Sequence, residues 1–570
     1  MMSSISVDRW ALRLVFAITL VLWGRFNDVA AQESRFVDHS LLVAPEYPVT
    51  WPAAPFPRFQ ITSERVIGSD CAYNVDVLLI DGNSGTQLDV PPHSVTRPDL
   101  KGPKSGPLGL AFTDKIEAWQ FGGEACVVDV RDLLGQAPKG TSPLVLPQRV
   151  ERFEKKHRRL RFGDVVLFRS DYSDKFYRPF PEGTRYIADI LERKAPGYPD
   201  PNPDCMELLA TRKVMTLGTD SASMGPLPNL AEPTHYAGLK HGMIWTEGAT
   251  NLGALPATGA FYTMLGPKHK DGPYGEGRAF SIVGGKLPQR LIAAAKAKRA
   301  IDLSPTLQQG LPLTSPGIGT GKHRQVYLKI DFLYAETLDL YHHAHLMDSM
   351  AGTHLVPPAY ALPAEDTYVP YAPEVRGWLQ QYEREFGKRG FSSMTTEKVP
   401  LDWTCGEARV IDVTSLINTT NKENWPASPE ISPDHIRAFE AKNGTLREGD
   451  IVIFRTDHVE KNLKLAPDDV GLWTDPLLGK SEGWPAPGPA AIVYLKSKGI
   501  RCVATDAPDL GGVDPRRALM TYWTLGSQEM VGVEFLVNVR NVPKNSYFLF
   551  AAVKIKNCHG GPGRAMVLHD

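Results

Sequence analysis

The sequence is short of net charge, of cysteine and of long apolar runs. Its 63 basic and 64 acidic residues leave a formal charge of −1 over 570 residues. That balance provides no field to draw in nucleic acid, an anionic membrane or a highly charged substrate. The six cysteines, Cys71, Cys126, Cys205, Cys405, Cys502 and Cys558, include no CxxC pair or tight ligand spacing. A thiolate metal cluster is thereby excluded, while scattered buried thiols and one or two disulfides both stay open. After the N-terminus no run is long and apolar enough for a membrane-spanning helix, which needs about 20 residues. Glycine (50) and proline (47) are plentiful, and the 42% hydrophobic content supplies cores between many loops.

At the N-terminus Arg9 and Arg13 precede the apolar run Leu14 to Trp23, and Val29-Ala30-Ala31 follows with small residues. The run is too short to span a bilayer and has the layout of a cleaved secretory signal over residues 1–31. Secretion or export to a periplasm is expected, with an uncleaved anchor as the alternative and no membrane contact after cleavage.

The chain repeats itself. Gly123-Glu124-Ala125-Cys126-Val127-Val128-Asp129-Val130 returns as Gly406-Glu407-Ala408-Arg409-Val410-Ile411-Asp412-Val413, and the Gly163-Asp164 strand with Arg169-Ser170-Asp171 returns as Gly449-Asp450 with Arg455-Thr456-Asp457. Gly85-Thr86 with Val90-Pro91-Pro92 returns as Gly352-Thr353 with Val356-Pro357-Pro358, and Glu247 with Asn251 as Glu534 with Asn538. Order is kept throughout, at offsets between 266 and 287 residues, so whole domains are duplicated. Copy one is placed at 40–288 and copy two at 323–570, joined by a helix and a Pro/Gly/Ser/Thr-rich linker over 289–322. Short β-branched runs such as Val165 to Phe168 alternate with helical segments such as Val150 to Arg159, which makes the class α/β.

The apolar run Val75 to Ile80 ends in Asp81-Gly82-Asn83-Ser84-Gly85-Thr86-Gln87-Leu88-Asp89-Val90-Pro91-Pro92-His93, a polar loop stiffened by two prolines at a strand end. Further on come His235, then Glu247 twelve residues later with Asn251-Leu252, and a glycine-rich turn closing on Arg278-Ala279. Together these resemble the metal-dependent cyclase family, which includes kynurenine formamidases and isatin hydrolases. The family's hallmark is His-x-Gly-Thr-His-x-Asp-x-Pro-x-His. Gly85, Thr86, Asp89, Pro91 and His93 fit it, while Asn83 and Gln87 stand where the family has its two loop histidines.

The resemblance implies a cyclase-like, swivelling β/β/α domain in each copy and hydrolysis of an amide, formamide or lactam C–N bond, of the arylformamidase type found in tryptophan breakdown. Asp89, His235 and Glu247 are a donor mix that suits Mn²⁺ or Zn²⁺. The amides of Gln87 and Asn83 would add weaker oxygen donors, favouring Mn²⁺ or Mg²⁺, or would leave one metal position empty. His93, with an ordinary pKa near 6.5, is the expected carrier of the proton. His241 and His269 match no family element and are read as surface residues.

Copy two has lost most of this. His354 and Glu534 remain, but Met350 replaces the first histidine, Tyr522 stands twelve residues before Glu534, and aligning the Pro-Pro pairs deletes the aspartate and puts Ala359 at the last histidine. His342, His343 and His345 form a His-His-x-His cluster, read as a solvated strand end with adventitious metal binding as the alternative. Copy two is therefore expected to stand in for a second subunit, giving a pseudo-dimer within one chain, with further homo-oligomers open. The leading function is a secreted metal-dependent amidohydrolase working on a small molecule through copy one. The alternative is a catalytically silent binding protein of the same fold.

Overall fold

The structure is a computed structural model that describes residues 34–52, 57–69, 71–316, 326–334, 340–365 and 367–570. The expected leader, residues 1–31, lies outside the described residues.

Both copies form the same mixed α/β sheet. In copy one the strand order is Arg35–Asp38, Arg278–Val283, Phe261–Leu265, Gly122–Asp129, Asp164–Arg169, Thr216–Thr219, Ile244–Glu247, Gln87–Asp89 and Tyr274–Glu276. The four strands from Gly122–Asp129 to Ile244–Glu247 run parallel and are almost wholly buried, as strands covered on both faces must be. In copy two the matching sheet closes on itself. The strand Gly561–His569 pairs with Ser546–Ala552 along most of its length and with His354–Val356 at its start. Copy one differs only in that its last strand breaks at Gly277, its two parts taking the same two partners. The break needs glycine, because an added Cβ at Gly277 would lie 2.4 Å from the Leu265 carbonyl oxygen.

Local detail repeats with the topology. The helices Pro147–Lys156 and Pro433–Asn443 both open on proline, whose missing N–H costs nothing in the first turn. Asp171 and Asp457 take left-handed φ of 57° and 59°, and the loops they occupy are held by Asp220 and Asp506, which accept from the backbone N–H groups of Ser170 and Asp171 and of Thr456 and Asp457. The Asn251 amide donates to the Asp38 carbonyl and the Asn538 amide to that of Asp302. Arg35–Asp38 and Ala300–Asp302 are thus equivalent first strands, and the second comes from inside the stretch read as helix and linker. The helix of that stretch runs over Leu287–Lys296.

The copies meet in a four-stranded sheet ordered Tyr327–Tyr334, Leu340–Asp348, Val75–Asp81, Gln60–Arg65. Its central pair is antiparallel and its register runs symmetrically about Leu79 opposite Leu346, which are equivalent positions of the two copies. The two segments thus pair in a self-complementary register. The cores also merge, since Leu401, Tyr547, Leu549 and Leu568 of copy two belong to the same apolar cluster as Phe261, Phe280 and Ile282 of copy one. All six cysteines are free, and five of them are buried.

Candidate active site

Four elements of copy one converge. Asp89 ends the short strand Gln87–Asp89, and His93 ends the single turn Pro91–His93 that follows it. His235 lies in the helix Ala231–Leu239, and Glu247 ends the strand Ile244–Glu247. Cross-strand pairing sets Trp245 opposite Asp89 and Glu247 opposite Gln87. The His235 Nε2 lies 3.4 Å from Asp89 Oδ2 and 3.4 Å from Glu247 Oε1, and the His93 Nε2 lies 3.9 Å from Asp89 Oδ2. Asp89, His93 and His235 are all buried and offer ligand atoms within 4.8 Å of one another, so His93 stands in ligand position as well as in proton-transfer reach.

The surroundings orient these groups. His235 Nδ1 donates to the Ala231 carbonyl one turn back at 2.7 Å, which turns Nε2 toward the carboxylates. Trp245 Nε1–H is shared between Asp89 Oδ2 and Glu247 Oε1 at 3.0 and 3.2 Å, and the Met224 N–H also donates to Glu247 Oε1. Asp89 Oδ1 is buried and makes no hydrogen bond. Burial, reinforced by the charge of Glu247, pushes the Asp89 carboxyl up to about 7. Burial works against charge on His235, but hydrogen bonds and attraction from Asp89 and Glu247 raise it well above its ordinary value. Such a cluster of two carboxylates around one imidazole is what a divalent cation would neutralise.

The expectation that the Gln87 and Asn83 amides add oxygen donors to the site is not met. Gln87 Nε2 donates to Glu247 Oε2 at 2.8 Å and to Asn83 Oδ1 at 2.7 Å. Register explains this: Gln87 faces Glu247 directly, and a carboxylate takes the amide's N–H side. Gln87 therefore braces Glu247, and Asn83 braces Gln87.

Asp89 lies buried behind His93, His235 and Glu247, which with Gln87 and Asn83 line a cavity of about 260 Å³. Leu41, Val49, Trp51, Tyr177, Ile187 and Leu227 give it an apolar, partly aromatic wall. His342 of copy two lines the cavity beside His93, its ring meeting that of His93 edge-on at 5.5 Å and its Nδ1 lying 3.4 Å from the Tyr274 hydroxyl. Burial, with the neighbouring His235, lowers His342 to about 4, so it stands neutral. Sequence reasoning missed two residues of this site. Trp245 was findable, since it shares a strand face with Glu247 two residues on. His342 was not, because nothing local says that copy two reaches into copy one. Its reading as part of a solvated cluster is corrected: His342, His343 and His345 are all buried, as is His269, because the seam between the copies covers them. His241 is as expected on the surface, paired with Glu207.

In copy two, register places Val356, not a gap, at the Asp89 position and Tyr360, not Ala359, at that of His93. Tyr522 takes the place of His235 and donates to Glu534 at 2.7 Å, while His354 Nε2 pairs with the same carboxylate at 3.1 Å. The corresponding cavity holds about 120 Å³, and copy one returns the exchange by lending it Tyr73, stacked on Tyr360.

The model of the cyclase family, described as "Putative cyclase", matches residues 37–226 and again residues 301–511. The chain belongs to the cyclase family. Among characterised relatives of this cyclase chain, an isatin hydrolase of Roseibium aggregatum is 32% identical over 179 residues, covering 29% of this chain and 65% of the relative. The match thus spans just under two thirds of that enzyme. Isatin hydrolase A from Labrenzia aggregata, solved with benzyl benzoate bound, overlays 46% of the chain and 99% of itself at 23% identity and a TM-score of 0.37. Isatin hydrolase A from Ralstonia solanacearum overlays 50% of the chain and 100% of itself at 21% identity and the same TM-score.

Proposed function

We propose that this cyclase-family chain is a metal-dependent amidohydrolase that opens an amide, formamide or lactam C–N bond of a small aromatic substrate in the copy-one cavity. One observation carries the reading: His93, His235 and Glu247, with Asp89 buried directly behind them, meet in the lining of a cavity that is otherwise largely apolar and aromatic. The kinship with an isatin hydrolase supports a cyclic aromatic amide as the substrate type.

Asp89, His235 and Glu247 would hold the ion, Mn²⁺ or Zn²⁺ by their donor types, and the bare Asp89 Oδ1 fits that role. Such an ion, when bound, supplies Lewis acidity that polarises the carbonyl and acidifies water beside it. The protein does the rest. Trp245 and Gln87 fix the two carboxylates, and the Ala231 carbonyl fixes the His235 ring. The apolar wall seats the substrate ring and keeps bulk water out. His93 takes a proton from the attacking water and returns it to the leaving nitrogen, while neutral His342 and the Tyr274 hydroxyl line the same side. Copy two, on this reading, replaces a second subunit: the symmetric register at Leu79 and Leu346 and the loan of His342 both support an intrachain pseudo-dimer. The N-terminal run supports export, which the N-terminal sequence of the mature protein tests.

A silent binding protein is the second reading, favoured by amides at Asn83 and Gln87 where the family has histidines. Metal analysis of the purified chain, with a screen of formamides, lactams and cyclic imides, decides between them. Bound Mn or Zn, with one ion fewer and no turnover in Asp89→Ala/Glu247→Ala, is the expected result. A chain that carries no ion and turns over none of these compounds is the silent protein.

A further inference from the structure

A second cluster of ligating side chains lies in the seam between the copies. His269 and Glu276 of copy one and His345 of copy two are each wholly buried, and their ligand atoms lie within 4.8 Å of one another. His269 Nδ1 is 2.9 Å from the Tyr327 hydroxyl, and its Nε2 is 3.1 Å from Glu276 Oε1. An imidazole nitrogen and a carboxylate oxygen that close need a positive particle between them, a proton or a metal ion. Two further observations favour the ion. Both ring nitrogens of His345 are buried without a hydrogen bond, and so is Glu276 Oε2. Native interiors rarely leave so many polar atoms unsatisfied in one place. His343 stands alongside: its Nε2 donates to the Tyr274 carbonyl at 2.8 Å and its Nδ1 has no partner.

We propose that His269, Glu276 and His345 form a second divalent-metal site that rivets copy one to copy two. Two imidazoles and a carboxylate supply three of the four donors that a tetrahedral Zn²⁺ takes, and a trapped water would supply the fourth. No substrate can reach the site. The His345 ring stacks on that of His269 with centroids 3.7 Å apart, so loading turns one imidazole out of the stack. The equivalent place on the other side of the pseudo-two-fold shows the contrast: there Asp76, the counterpart of His343, is closed by a direct pair with His559 at 3.0 Å. Because the pocket is sealed by both copies, the ion enters as the chain folds and leaves only when the seam opens.

The test is metal counting on the full-length chain, refolded with Zn²⁺ as the only divalent ion and then exposed to a chelator while native. Wild type is expected to hold two ions per chain before chelation and one after it. His345→Leu, and Glu276→Gln as the size-preserving second variant, should each hold one fewer ion and lose the chelator-resistant one. Asp89→Ala/His235→Ala should keep it. Co²⁺ substituted into that last variant should show the absorption bands of a tetrahedral site, and those bands should vanish when His345→Leu is added. The proposal is overturned if no ion resists chelation, or if His345→Leu and Glu276→Gln leave the count unchanged. A wild type with a single ion that survives Asp89→Ala but not Glu276→Gln supports the seam site and removes the metal from the proposed catalytic one.

Discussion

Copies one and two share a fold, a strand register and even the loop-holding aspartates, yet at the positions that matter chemically they have diverged in opposite directions. Copy one carries Asp89, His93 and His235, whereas copy two carries Val356, Tyr360 and Tyr522 at the same places. Conversely, copy two keeps a histidine at position 354, where copy one has Gln87. In both, the residue at that position hydrogen-bonds the strand-end glutamate across the sheet. The glutamate and its cross-strand partner therefore serve the scaffold as well as the site. What separates the two cavities is the trio of Asp89, His93 and His235. Tyrosines narrow the second one: Tyr73, Tyr360 and Tyr522 pack ring against ring with centroids 4.8 to 5.8 Å apart.

The asymmetry can be broken by exchanging what each copy has lost. Asp89→Ala with Glu247→Ala should remove the copy-one ion, leave the seam ion in place and cut turnover by at least about a thousandfold, whereas His354→Ala with Glu534→Ala should leave turnover per folded molecule within about twofold. Atomic-emission metal counts beside steady-state kinetics read both, and comparable losses from the two pairs would erase the distinction between the copies. His93→Gln comes next. As proton carrier it should cost about 10²–10⁴ in kcat with the metal retained; loss of the ion instead would make His93 a ligand.

His342→Phe tests the loan from copy two, with kcat/KM expected to fall about tenfold and metal content unchanged. A pH effect on stability follows from burial. His39 and His342 are both pushed down to about 4 by burial. Below an unfolded value near 6.5 the unfolded chain binds protons that the fold refuses. The two imidazoles' share of the stability is thus full above pH 6.5 and drains as pH falls toward 4, while buried carboxyls pushed upward, such as Asp81 and Asp220, act in the opposite direction. The thermal midpoint of His39→Gln/His342→Gln should therefore lose less, or gain more, than that of wild type between pH 6.5 and 4, and equal changes would mean those imidazoles are solvated. Finally, residues 34–299 alone should lack a cooperative transition, because their apolar cluster is shared with Leu401, Tyr547 and Leu568.

Much of this was legible in the chain itself. Four motif pairs in constant order revealed the duplication, since strand-end turns and loop-holding aspartates are short-range solutions that a copied sequence reproduces. The Asp89, His93, His235 and Glu247 set came from the family resemblance, whose motif order singles out these four, and the structure brings them together. Where reading failed, the cause was non-local. Aligning two Pro-Pro pairs put a gap at Asp89, while cross-strand register, which a one-residue slip would invert, puts Val356 there. The amides of Gln87 and Asn83 looked like oxygen donors until Glu247 was found directly opposite.

By itself, then, the sequence determined the family, the doubling and the residue types available for chemistry. Only the tertiary structure decided that the two copies clasp through Val75–Asp81 and Leu340–Asp348, that His342 reaches the other copy's cavity, and that His269 and His345 are interior. Periodicity along a chain reports which residues prefer to be buried, but a histidine carries no such preference. Its environment is set by whatever packs over it, and here that is a segment from the opposite half of the molecule.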